Sequence, residues 1–195
     1  MSSANTAGRR TPAAQIKSSL ITAGRRILEE KGPNGLTVRD VAKAAGVAPM
    51  GVYNHFDGKD GLLDALVTDG FREFGEMTAA TDSDPTERLT AAGVAYRAFA
   101  LANPTVYSLM FGGFCKPDDE VADRAFEGLV EIVRYGQVGG IIVDGDPASI
   151  AMQVWSCVHG AVSLQLASGF PKRIELDENY DNVMAMALRG LAPTA

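Results

Sequence analysis

The chain has 195 residues, 46% hydrophobic and 22% charged, long enough to bury a core and too apolar to be disordered or fibrous. No apolar run approaches the roughly 18 uncharged residues of a membrane helix, and the start lacks the apolar core of a secretion signal, so a cytoplasmic protein is expected. The net charge of −6 is divided unevenly: through Asp60 there are nine Lys/Arg against five Asp/Glu, and beyond it nine against nineteen. A basic first third can meet phosphate, while an acidic remainder is repelled by it.

Residues 1–12, which include Arg9 and Arg10, carry no periodic apolar pattern and read as a flexible arm. From Ala13, the spacing of Ile16, Leu20, Ala23, Ile27 and Leu28 predicts an amphipathic helix that Gly32-Pro33-Asn34-Gly35 stops. Thr37-Val38-Arg39-Asp40 reads as a capping box opening a short helix, which Gly46 ends. Pro49 then stands where a first helical turn tolerates proline, and Met50–Phe56 form a second short helix, so the pair is a helix-turn-helix within a 13–58 domain. Asp57-Gly58 breaks that helix, and 59–77 predicts a connecting helix with Leu62, Leu66, Phe71 and Phe74 on its apolar side.

Beyond it, 78–195 reads as one helical domain. Asp84 caps a helix from Pro85 to Asn103, and Asn103-Pro104 repeats the device for Thr105–Phe111. Asp118 to about Val143 reads as a helix with acidic residues in its first turn, where the helix dipole favours them. Asp146-Pro147 opens a helix to about Ser168, and Glu178–Leu191 forms the last. The expected fold class is all-α, with about nine helices and no strand.

A reading helix contacts bases with a few side chains near its N-terminus. Pro49, Met50 and Gly51 stand there; Met50 offers apolar contact to thymine methyls and Gly51 permits close approach to base edges. Asn54 is the polar base-reading candidate, and Tyr53, His55 and Lys59 are candidate phosphate contacts. Packing is the competing reading for Tyr53 and Met50, and simple surface exposure for His55. The segment LTVRDVAKAAGVAPMGVYNHFDGKDGLL (36–63) resembles the DNA-binding region of TetR/AcrR-family regulators at Leu36-Thr37, Val41-Ala42, Gly46-Val47, Val52-Tyr53, Phe56, Lys59 and Leu62-Leu63. By that resemblance Thr37 also holds a phosphate, and the rest of the chain is an all-helical ligand-binding and dimerisation domain. The family frequently has Ser or Thr where Ala48 stands, so one cap hydroxyl is absent here.

Trp155, His159 and Gly160 form the W-x-x-x-H-G pattern of the WHG-domain subgroup of that family, and YRAFALANPTVYSLMFG (96–112) resembles it too. Trp155 and His159 share a helix face. His159 is either a ligand group or a core histidine satisfied by a buried partner, and Trp155 either touches ligand or packs. Tyr96, Phe99, Tyr107, Met110, Phe111, Met152, Trp155 and His159 supply the aromatic, adaptable and polar mixture of a small-molecule pocket, and the same set would build an ordinary core. The last two helices are rich in small and apolar residues, suited to a homodimer seam that would set two reading heads on a near-palindromic double-stranded operator.

These features point to a regulator, most commonly in this family a repressor released by a small-molecule effector. A ligand-binding dimer without DNA function, or an enzyme, are the alternatives. Against an enzyme, there are two histidines, no carboxylate or cysteine cluster at metal-ligand spacing, no phosphate loop and no nucleophile elbow. No metal and no cofactor are expected. Cys115 and Cys157, far apart in apolar surroundings, read as buried thiols.

Overall fold

The structure, a computed structural model, describes residues 12–167, 171 and 173–193. Among these the regular elements are nine helices: α1 (Ala13–Gly35), α2 (Val38–Ala44), α3 (Met50–Phe56), α4 (Lys59–Thr78), α5 (Pro85–Ala102), α6 (Pro104–Phe111), α7 (Asp119–Val138), α8 (Pro147–Leu166) and α9 (Leu176–Leu191). Two compact units divide the chain inside α4, one ending at Leu66 and the other beginning at Val67. Arg9 and Arg10 lie outside the described residues.

In the first unit the apolar stripe of α1 buries Leu20, Ile27 and Leu28 with Leu36, Val41, Val52, Leu62 and Leu66. Each such side chain contributes roughly 1.5–3 kcal/mol of burial. Gly32, at φ 68°, leaves helical geometry one residue before Pro33 and turns the chain. The Thr37 hydroxyl accepts the Asp40 amide at 3.1 Å and caps α2. Asp40 reaches back to the Thr37 hydroxyl and to Lys31, and both hold its carboxyl below the usual carboxylate range. The turn after α2 closes with the Val47 amide on the Ala42 carbonyl (3.0 Å) and the Gly46 amide on Lys43 (3.2 Å). This is the helix-ending motif that requires a left-handed residue, supplied by Gly46 at φ 69°.

In the second unit, α5, α7, α8 and α9 share a core that includes Leu89, Val130, Val133, Ile150, Val154 and Leu191. Asp84 caps α5 through the Thr86 and Glu87 amides (2.8 and 2.9 Å), and Asp146 caps α8 through the Ser149 amide (2.9 Å). Three details differ from the sequence reading. Asn103 makes no side-chain cap bond to α6, and its side-chain amide donates to the Phe99 carbonyl at 3.1 Å, at the end of α5. The helix expected to reach Val143 ends at Val138, because Gly140 adopts φ 71° and the Ile141 amide returns to the Gly136 carbonyl. The freed strip is used: the Val143 amide donates to Leu191 at 2.7 Å, and Gln137 donates to the Val143 and Gly145 carbonyls. Finally, α9 starts at Leu176, ahead of Glu178.

Candidate functional site

The seven residues of α3 divide cleanly by face. Val52 and Phe56, four apart, are buried; Met50, Tyr53 and Asn54 lie on the opposite side in solvent. Met50 is 63% exposed and Tyr53 54%, large apolar surfaces that the first unit leaves in water. Packing within that unit therefore does not account for either. Pro49 is exposed at the start of the helix, Gly51 and His55 are half-buried, and Thr37 is exposed at its cap position. Asp57 and Gly58, at φ 57° and 105°, end α3 and turn directly into α4, whose first residue is Lys59.

Two glycines of this region have opposite meanings. Among the described residues a methyl built on Gly51 meets only Val47, at an ordinary 3.5 Å, so none of them demands glycine there. A methyl on Gly61 would stand 1.8 Å from the Phe56 carbonyl oxygen, so the last turn of α3 and the first of α4 touch backbone to backbone. Gly61 escapes a sequence reading because a helical glycine carries no sign of what it approaches.

The second unit encloses a cavity of about 430 Å³, with walls from α4 through α9. Tyr96, Met110, Phe111, Met152 and Trp155, five of the residues proposed from sequence, line it. Phe71 and Phe74 of α4 and Phe126 of α7 complete the aromatic wall. They belong to helices far apart in the sequence, where each reads as ordinary core. Phe99, Tyr107 and His159 stand outside the lining. Phe99 is fully buried, edge-on to Phe74 with ring centroids 5.4 Å apart.

Tyr107 and His159 belong instead to a hydrogen-bond cluster that holds the cavity wall. The Trp155 indole donates to the Tyr96 hydroxyl at 3.1 Å. That hydroxyl lies 2.9 Å from the Tyr107 hydroxyl and 2.9 Å from His159 Nδ1, and Tyr107 lies 2.8 Å from the same nitrogen. A single relay satisfies every proton: Trp155 to Tyr96, Tyr96 to Tyr107, Tyr107 to an unprotonated Nδ1. Burial sets the same state, pushing the His159 pKa down and the two phenols up, so all three groups are neutral. Cys115 and Cys157 are both only half-buried.

A helix-turn-helix with an undressed outer face, followed by a helical unit around an apolar cavity, defines a class of DNA-associated regulators. Residues 20–66 match the bacterial regulatory proteins of the tetR family, and residues 89–187 match the tetracyclin repressor-like C-terminal domain. The chain belongs to the TetR family, which consists of transcription regulators and not of enzymes. The W-x-x-x-H-G residues fall inside the second matched segment. Over 146 residues the chain is 28% identical to the HTH-type transcriptional regulator Rv1816 of Mycobacterium tuberculosis, covering 69% of this chain and 62% of that protein, less than two thirds of its length. Over 77 residues it is 34% identical to the HTH-type transcriptional repressor KstR2 of Rhodococcus jostii, covering 37% of this chain and 34% of that one. A solved protein of unknown function from Rhodococcus sp. RHA1 superposes with a TM-score of 0.80 at 29% identity, covering 96% of this chain and all of that one. The regulator PfmR from Thermus thermophilus shares the fold (TM-score 0.61, 23% identity, 87% of this chain and 97% of that one).

Proposed function

We propose that the chain is a homodimeric transcriptional repressor that grips a near-palindromic operator through α3 and releases it when a small molecule fills the cavity. The observation that carries the reading is the outer face of α3, where Met50, Tyr53 and Asn54 are exposed together. Met50, Gly51, Pro49 and Asn54 face base edges; Tyr53, His55, Lys59 and Thr37 hold phosphates. Among the described residues no helix is long and apolar enough to cross a membrane, in keeping with a cytoplasmic DNA reader. The similarity to a protein named as a repressor supports the sign of control.

Selection of the purified protein against random duplexes at moderate salt tests this. The native chain is expected to enrich a near-palindrome and a Tyr53→Ala, Lys59→Ala chain to enrich nothing; a native chain that enriches nothing either is a ligand-binding protein without DNA function. Gly51→Ala sharpens the test. Removing a helical glycine stabilises the fold by up to about 1 kcal/mol, while the new methyl intrudes on the bases, so this variant melts at or above the native temperature yet binds the selected operator more weakly.

The dimer seam is assigned to α8 and α9. On α8 the residues Gln153, Ser156, Cys157, Gly160 and Leu164 form one exposed or half-exposed stripe, and Leu164 is 56% exposed. Methyls built on Gly160 and on Gly190 of α9 meet nothing within 4 Å among the described residues, space that a second copy can enter. Sedimentation of Gly160→Phe is expected to show monomer at concentrations where the native chain is dimeric; an unchanged dimer would place the seam elsewhere. Coupling runs through α4, one helix that carries Lys59 in its first turn and Phe71, Phe74 and Thr78 in the cavity wall.

A further inference from the structure

We infer that the cavity takes a cationic amphiphile, an apolar body whose amine or quaternary ammonium rests at the mouth beside Asp123. The inference builds on the reading of this cavity as the effector site and adds the chemical class of the effector. Three observations carry it.

The first is the charge of the lining: among the described residues it contains no Lys, Arg or His, and its one charged side chain is Asp123, which is exposed and so marks the edge where the cavity meets water. The second is that the polar groups of the wall have already given their protons away. Trp155 donates to Tyr96, the Tyr96 hydroxyl is held in the relay with Tyr107 and His159, and the Thr78 hydroxyl donates to the Phe74 carbonyl at 2.9 Å. A carboxylate or phosphate entering this space loses its water and finds no donor among them. The third is the aromatic surface next to the acid. Phe126 follows Asp123 by three residues on the same face of α7, its ring centroid is 6.1 Å from that of Trp155, and Trp155 is 5.6 Å from Phe111. Aromatic faces beside a carboxylate are the environment in which an ammonium is favoured. The strongly acidic composition beyond Asp60 adds a long-range field of the same sign.

Trp155 supplies the readout, being the one tryptophan of the chain and part of the cavity wall. The full-length protein is titrated below micelle formation with decyltrimethylammonium, decanol and decanoate, which share one alkyl chain and differ only in head group, while Trp155 emission is followed. The ammonium is expected to bind about fivefold more tightly than decanol and at least about tenfold more tightly than decanoate, the gap narrowing as salt is raised. In D123N the ratio between ammonium and decanol falls to near one. Decanoate binding as tightly as the ammonium, or a D123N chain that keeps the full ammonium preference, would overturn the assignment of class while leaving the cavity an effector site. If none of the three probes perturbs Trp155, the reading of the cavity as a ligand site falls, and the class with it.

Discussion

Gly61→Ala is expected to cost the first unit about 3 kcal/mol or more and to abolish operator binding, although alanine is the better helix former. Intrinsic propensity alone favours alanine within a helix by about 1 kcal/mol. Against that stands a methyl 1.8 Å from the Phe56 carbonyl oxygen. The obstacle is backbone and not the far end of a side chain, so relief requires the turn at Asp57 and Gly58 to open. Both residues already occupy positive φ, one of them without being glycine. Opening that turn shifts α3, with Val52 and Phe56 drawn from their buried positions, at a cost in the range where overpacking becomes severe. Gly128→Ala is the matched control: it is a helical glycine of α7 whose added methyl meets nothing within 4 Å, and it is expected to leave the melting temperature unchanged or raise it. Thermal melts of the two variants beside the native chain decide the matter. A Gly61→Ala chain as stable as Gly128→Ala would mean that the α3–α4 junction is not held by this contact.

The contrast between Gly51, Gly61, Gly128 and Gly160 shows where a sequence stops speaking. All four sit inside helices, and their letter is the same. Local rules placed the helices well, because a cap such as Asp84 or Asp146 acts within three residues and apolar spacing is a property of one element. They erred at termini, where several backbone groups compete for the same few partners. The Asn103 side-chain amide donates to the Phe99 carbonyl at the end of α5, and α7 stopped at Val138, where the strip beyond it bonds to Gln137 nearby and to Leu191 far along the chain. For the cavity, sequence reasoning reached the residues around one motif, Trp155 and His159, and the aromatic segment from Tyr96 to Phe111. It did not reach Phe126 or Asp123, whose role comes only from the packing of α7 against other helices. Nor could it separate Tyr96, which lines the space, from Tyr107 and Phe99, which do not, since all three are aromatic rings of one short stretch and all are buried in the fold.

Tyr96→Phe is expected to destabilise the second unit by roughly 2 kcal/mol, read as a lower urea midpoint, although it removes a single oxygen. That oxygen is the hub of the relay: without it the Trp155 indole loses its acceptor and the Tyr107 hydroxyl loses a partner, and leaving buried polar groups unmet costs about 1–3 kcal/mol. A phenylalanine of the same shape keeps the edge-on contact to Phe74, whose ring centroid is 5.1 Å away, so no cavity forms to confuse the result. The same cluster makes stability depend on pH with a defined sign. Burial lowers the His159 pKa in the folded chain below its unfolded value near 6.5. At pH values between the two, the unfolded chain holds a proton that the folded chain refuses, so the stability is fully present above about pH 6.5 and drains away as the pH falls toward the folded pKa. The carboxyls with shifted values, Asp40 and Asp146, titrate below 3.8 and lie outside this window. Urea midpoints of the native chain should therefore fall between pH 7 and pH 5.5, and a His159→Gln chain should lose most of that slope. Tyr96→Phe should keep it, because the phenyl ring withholds water from His159 as the phenol did. If the slope instead vanished with the Tyr96 hydroxyl, the hydrogen bond and not burial would be what keeps His159 neutral.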